Sequence, residues 1–382
     1  MSAGILCQEQ LRKLFAPECG PARIVRPSGD HWEPLVNASS VDLPLGDECW
    51  EMKGSCRAGR NLNVDDIIAK YTIPGSKHKV EGEMTLQKGK VYLFKVDCRL
   101  DLGETRIQGK STARSSIGRL DTLVRLLVDK SPSFDRVTEE YRGLLHVEVT
   151  PITFDLLVRP GTCLSQLRLF RGSEHLISLS REALPFEDDC PVVDSAGNLL
   201  IDNNIEGTSL HEVIYPFCLD LSPDPVAKCA GFVAKKKEDL PPVAIDPDRE
   251  AHYDPKEYWD PVQAADDAIT LDLNRLYILR SKERLRLPQH LALECQAYTE
   301  TMGEWRIEYA GFAHPFFGRT RKSGSPLMFE VRGHNIPTIL TDGIPLGNVV
   351  FKRMSSPAEK PKKSRHYENQ ELKLSGCFRD WY

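Results

Sequence analysis

The chain has 382 residues, 41% of them hydrophobic and 27% charged, which exceeds one ordinary domain and suits packed cores rather than disorder. Its net charge of −5 excludes a global positive field for a nucleic-acid backbone, so any anion must be held locally. There is no run of about 18 apolar residues and no signal-peptide pattern at the N-terminus, and the 11 cysteines include no Cys-x-x-Cys pair; the expectation is a cytosolic protein with reduced thiols, no membrane span and no zinc site.

In chain order, Gln8 to Phe15 alternates with a helical period, and Ser39 to Gly46 reads as a strand closing on a turn. Short strand candidates follow at Val80 to Thr85, Lys90 to Val96, Leu144 to Val149, Phe154 to Val158 and Leu164 to Phe170. Between them lies Thr105 to Leu120, which gathers Arg106, Lys110, Arg114 and Arg119 with Ser111, Thr112, Ser115 and Ser116 and contains no acid. Hydroxyls and guanidiniums beside glycine are what a polyphosphate requires, because its oxygens accept charge-assisted bonds and glycine lets backbone N–H groups approach. The plain alternative is a solvated basic loop; its place between two apolar runs favours a site.

From Val233 to Val262 the composition shifts to lysines, five prolines and the aromatics Tyr253, Tyr258 and Trp259, which reads as a linker. Strand candidates resume at Ile269 to Leu273, Tyr277 to Arg280, Arg284 to Leu287, Trp305 to Tyr309, Leu327 to Val331 and Val349 to Phe351. The expected division is therefore 1–232, a linker over 233–262, and 263–382. With no βαβ alternation, the pattern predicts mostly antiparallel β sandwiches or barrels with a few short helices.

The second half repeats the first. Glu148-Val149 stands 13 residues before Gly161 and Glu330-Val331 stands 13 before Gly343; Leu164-Ser165-Gln166-Leu167 and Leu346-Gly347-Asn348-Val349 then follow at equal offsets. Any two β sandwiches place turns after strands, yet this many shared offsets point to a fused tandem of one β fold.

Ala113-Arg114-Ser115-Ser116-Ile117-Gly118-Arg119-Leu120 resembles the Arg-Ser-Ser-x-Gly/Ala-Arg-Leu motif of the dCTP deaminases, which share a fold with trimeric dUTPases. Ser40 to Gly46 resembles that family's N-terminal strand, Arg159 to Leu167 its glycine turn and following strand, Ala310 to Gly318 its base-reading hairpin, and Tyr367-Glu368-Asn369-Gln370 its C-terminal lid. The whole is most similar to a fused two-repeat bacterial branch, covering most of both halves outside the linker. It implies tandem dUTPase-like, β-clip, distorted β-barrel domains.

The motifs are shared out unevenly. The first half has Ser-Ser-x-x-Arg but no Ala-Gly hairpin, and the second has the hairpin but Thr301-Met302-Gly303-Glu304-Trp305-Arg306 in place of Ser-Ser-x-x-Arg. The resemblance implies metal-free hydrolysis of dCTP to dUTP and ammonia, with Glu330 as the working glutamate and Glu148 as its relic or structural counterpart. Ser115 would hold the water with a carbonyl near Ala310, and Arg119 would orient the carboxylate. Lys110, Arg114 and Ser116 would bind phosphate, Gln166, Gly311, Phe312 and His314 would contact the rest of the nucleotide, and Tyr367 and Gln370 would close over the triphosphate. Mg²⁺ would arrive with the nucleotide, and the fold implies a homo-oligomer with three-fold or pseudo-three-fold packing. His314 stands where related hairpins carry an acid, which argues against pyrophosphate release. Two alternatives stay open: a dUTPase-like pyrophosphatase, alone or combined with deamination, and a catalytically silent nucleotide-binding assembly protein.

Overall fold

The computed structural model describes residues 2–16, 22–29, 31–179, 191–200, 214–297, 305–307, 311–360 and 370–382. The chain forms two compact units. The first comprises Met1–Ser173 with Val243–Asp248 and Met354–Glu359, and the second Glu174–Pro242, Arg249–Arg353 and Lys360–Tyr382.

The first unit is built on antiparallel pairs in the order Thr122–Leu127, Arg142–Pro151, Val91–Asp101, Val41–Met52, Cys163–Arg171, Ile107–Ala113, Arg136–Val137. Val41–Met52 joins its two halves. Its start pairs with Cys163–Arg171, as at Leu43 opposite Ser165, and its end pairs with Val91–Asp101, as at Cys49 opposite Phe94. The strand changes partner at Gly46, where a Cβ would sit 2.8 Å from the Lys95 carbonyl oxygen, so only glycine lets the strands approach this closely. Such bends close a β sheet toward a barrel.

The second unit repeats the connections. Ser325–Gly333 lies on Leu276–Leu285 as Arg142–Pro151 lies on Val91–Asp101, and Pro345–Arg353 lies between Ile214–Asp220 and Leu291–Ala297 as Cys163–Arg171 lies between Val41–Met52 and Ile107–Ala113. The agreement reaches single bonds. The Tyr92 hydroxyl accepts from Gln87 N–H at 3.1 Å and that of Tyr277 from Asp272 N–H at 2.9 Å. Gly161 N–H donates to Leu45 and Gly343 N–H to Leu219, both at 2.8 Å, and both glycines have positive φ. Glu148 lies opposite Leu93 and Glu330 opposite Ile278.

Several expectations are corrected. The units divide near residue 173 rather than at 232, and residues 233–262 do not form a free linker. Gly231–Ala234 pairs with Leu276–Leu285 on one side and with the edge strand Trp259–Val262 on the other, with Val233 opposite Asp260. Tyr253, Tyr258 and Trp259 pack around Phe378 with ring centroids 5.3 to 6.2 Å apart. The prolines lie between these strands, at the start of the turn Pro255–Tyr258 and, for Pro261, on the edge strand, so the stretch had the composition of a loop. The strand expected at Val80 to Thr85 is a turn through Glu81-Gly82-Glu83 followed by Met84–Leu86. The cationic stretch is also no simple loop, because Ile107–Ala113 is a strand with Ile107, Gly109 and Ser111 buried on one face.

Candidate active site

In the first unit the strand Ile107–Ala113 ends on Arg114, whose N–H bonds the Leu164 carbonyl at 3.0 Å. The Arg114 guanidinium donates to the Cys163 carbonyl at 3.1 Å and lies 3.8 Å from the Asp42 carboxylate, so the side chain is drawn over the neighbouring strands. A single turn, Ser115–Gly118, follows, with Ile117 N–H and Gly118 N–H both donating to the Arg114 carbonyl. Ile117 and Leu120 sink into the core, and Asp121 accepts from the Thr153 hydroxyl. Anchored at these points, the turn leaves Ser115 exposed and Ser116 half-buried, while Arg119 retains 2% exposure. A guanidinium is buried so deeply only where other groups receive it, which makes Arg119 a fixed charge rather than a mobile surface one.

Lys110 lies directly opposite Arg168 on one neighbouring strand and Arg136 on the other. This places three cations at adjacent positions, with the Asp135 carboxylate close enough to interact with Lys110. Gln166 is buried, and its side-chain carbonyl accepts from the Ser40 hydroxyl at 3.0 Å, so in this state it braces the sheet.

Glu148, the acid of this unit, is brought to Arg125, which lies opposite it, and not to Arg119. It is 6% exposed; the Ser55 hydroxyl donates to Oε1 at 2.6 Å and Cys56 N–H to Oε2 at 3.2 Å. Burial pushes its carboxyl above the ordinary range, while these two bonds and Arg125 pull the other way.

In the second unit Glu330 is 4% exposed at the centre of Ser325–Gly333. The hairpin stretch begins with Gly311, whose carbonyl accepts from Cys295 N–H at 2.9 Å, and continues with Phe312 opposite Glu294 and Ala313 opposite Leu293. His314 is half-buried at a turn closed by Phe317 N–H on its carbonyl. Gln370 is buried and donates to the carbonyl of Pro326, on the same strand as Glu330. Ala310 and Tyr367 lie outside the described residues.

Sequence reasoning missed the anchor beside Gln370. The buried Arg284 holds Glu371 at 2.5 and 3.1 Å, Arg321 reaches the same carboxylate at 3.1 Å, and Leu372 N–H donates to Asp224, itself paired with Arg280 at 2.8 Å. Bidentate arginine pairs of this kind fix geometry. No spacing in the sequence announces them, since the partners are distant along the chain. Among the described residues, no cluster of three or more His, Cys, Asp or Glu could hold a metal, and no helix is long and apolar enough to cross a membrane.

The fold and these residues define a tandem β protein whose first repeat presents a cationic serine–arginine turn and whose second presents a buried carboxylate on a central strand. Two family models match in the same order: the N-terminal domain of 2'-deoxycytidine 5'-triphosphate deaminase over residues 2–173 and the C-terminal domain over residues 194–378. Among solved structures, the crystal structure of 2'-deoxycytidine 5'-triphosphate deaminase from Agrobacterium tumefaciens is similar at 27% identity and a TM-score of 0.81, covering 94% of this chain and 100% of that one. No curated protein matches by sequence. The chain belongs to the dCTP deaminase family, a family of enzymes.

Proposed function

We propose that the protein hydrolyses the C4 amine of dCTP, giving dUTP and ammonia. The observation that carries this reading is the ordered match of both halves to the two domains of one deaminase family, with Ser115 and Arg119 in the first and the hairpin and Glu330 in the second. Water adds to C4 while Glu330 takes its proton and passes it to N3; Glu330 then carries the proton of the new C4 hydroxyl to the amine, the C4–N bond breaks, and ammonia leaves as the C4 carbonyl forms. A buried carboxylate suits this exchange because a base works best with its proton affinity near the working pH. Ser115 holds the water, and the fixed charge of Arg119 orients the carboxylate and offsets charge developing in the intermediate.

Arg114, Ser116 and Lys110 bind phosphate oxygens, and Mg²⁺ arrives as part of the nucleotide. Gly311, Phe312 and His314 contact the base and sugar, and Tyr367 and Gln370 belong to the segment that covers the triphosphate. Gln166, held by the Ser40 hydroxyl, contacts the nucleotide. Assembly into a homo-oligomer in the cytosol belongs to the same reading, since sheet-built enzymes of this size are commonly symmetric oligomers. The test is ammonia release from dCTP with Mg²⁺. Glu330→Gln should lower the rate by roughly 10²–10⁴-fold; a variant as active as the parent would overturn the assignment of the base.

A further inference from the structure

Glu148 occupies, by strand register, the place in the first repeat that Glu330 occupies in the second. Both oxygens of Glu148 accept from the segment 53–63, Oε1 from the Ser55 hydroxyl and Oε2 from Cys56 N–H. The same segment is tied to the stretch that replaces the hairpin in this repeat. Arg57 donates to the Pro132 carbonyl at 3.3 Å, Lys130 N–H to the Leu62 carbonyl at 3.0 Å, and Val64 N–H to Asp129 at 2.8 Å. Beneath the segment Ala58 and Val64 pack with Trp50, Met52, Ile67 and Leu127, and Phe134 lies against the cluster.

We infer that Glu148 is a latch rather than a base: its carboxylate fastens residues 53–63 over the first repeat's own acid position and, through them, orders residues 129–134. Two donors on one carboxylate, together with an apolar underside, fix a segment that would otherwise be solvated chain. Each oxygen already accepts one donor from residues 55–56, so taking a proton from water would weaken the bonds that hold the loop. This rests on the proposed reading and deepens it, since that reading gives the chemistry to Glu330 and the latch gives Glu148 a structural task.

The test is hydrogen exchange of residues 54–63 in the full chain, with ammonia release measured alongside. Glu148→Ala removes both acceptors and Ser55→Ala removes one donor; each should speed exchange of these amides by at least about tenfold, as expected for a lost buried hydrogen bond. Ser55→Ala should keep its rate of ammonia release within about twofold of the parent, because it leaves Glu330 untouched. Unchanged exchange in both variants would overturn the latch, as would a Ser55→Ala protein that loses ammonia release while its loop exchanges normally. If the parent releases no ammonia from dCTP, the proposed function fails, and the exchange result alone decides the latch.

Discussion

His146 sits two residues before Glu148 on the same strand, 4% exposed, between Lys95 and Leu127 on the neighbouring strands and near the Trp50 ring. Burial pushes its imidazole down to about 4 from an ordinary 6.5. The folded protein therefore holds it neutral. As pH falls from about 6.5 toward about 4 the unfolded chain takes up a proton that the folded one refuses, and the fold loses up to roughly 3 kcal/mol. The loss is absent above the ordinary value and complete below the lowered one. His146→Leu should flatten this part of the profile, so its stability relative to the parent should rise between about pH 7.5 and about pH 4.5 in urea unfolding; parallel profiles would refute the assignment. At this scale the sequence was informative where residues were near one another or repeated. Glu148 and Glu330 stood out because each precedes a glycine by the same interval, and Ser115 and Arg119 because they belong to one short motif that resembles the family's. The bond from Ser55 to Glu148 and the clasp of Arg284 on Glu371 span 93 and 87 positions, and no local pattern encodes them.

Among the elements, those with an apolar rhythm were legible and those with a polar one were not. Val91–Asp101 and Arg142–Pro151 bury alternate or successive apolar side chains and were anticipated in place. Ile107–Ala113 carries Gln108, Lys110 and Thr112 on its second face, so charge hid a strand whose backbone is bonded on both sides. Two glycine turns give a quantitative contrast. At Gly318, with φ +70°, a Cβ would fall 1.8 Å from the Leu285 carbonyl oxygen; at Gly161, with φ +93°, nothing lies within 4 Å. Gly161→Ala should therefore cost only the left-handed backbone penalty of about 1–2 kcal/mol. Gly318→Ala must also displace a paired strand and should cost more than about 4 kcal/mol. Equal losses of thermal stability in the two variants would show that the Leu285 contact relaxes freely.

The whole molecule is interleaved, and here sequence reading failed for a topological reason. A division drawn where composition changes assumes that each unit is one continuous stretch, but the first unit is completed by Val243–Asp248 and Met354–Glu359. Ile245 is fully buried and bonds across to Asp155 and Leu157, while Asp246, 1% exposed, pairs with Arg159, and Thr162 donates to Asp248. Ser355 N–H closes on the Ile5 carbonyl at 2.8 Å, and Gln8 donates to Glu359 at 2.7 Å. A fragment ending at residue 173 lacks all of these, including about 2–3 kcal/mol for the Ile245 side chain alone. Its Val91–Asp101 amides should exchange much faster than in the full chain, and equal protection would show that the two returning segments add nothing.

This interleaving has a consequence for biosynthesis. The N-terminal barrel cannot take its final form until the ribosome has delivered residue 359 of 382. Completion of the first half thereby waits for synthesis of residues 354–359, and a polypeptide stopped before them presents cellular proteases with an unfinished first half rather than a durable half-enzyme.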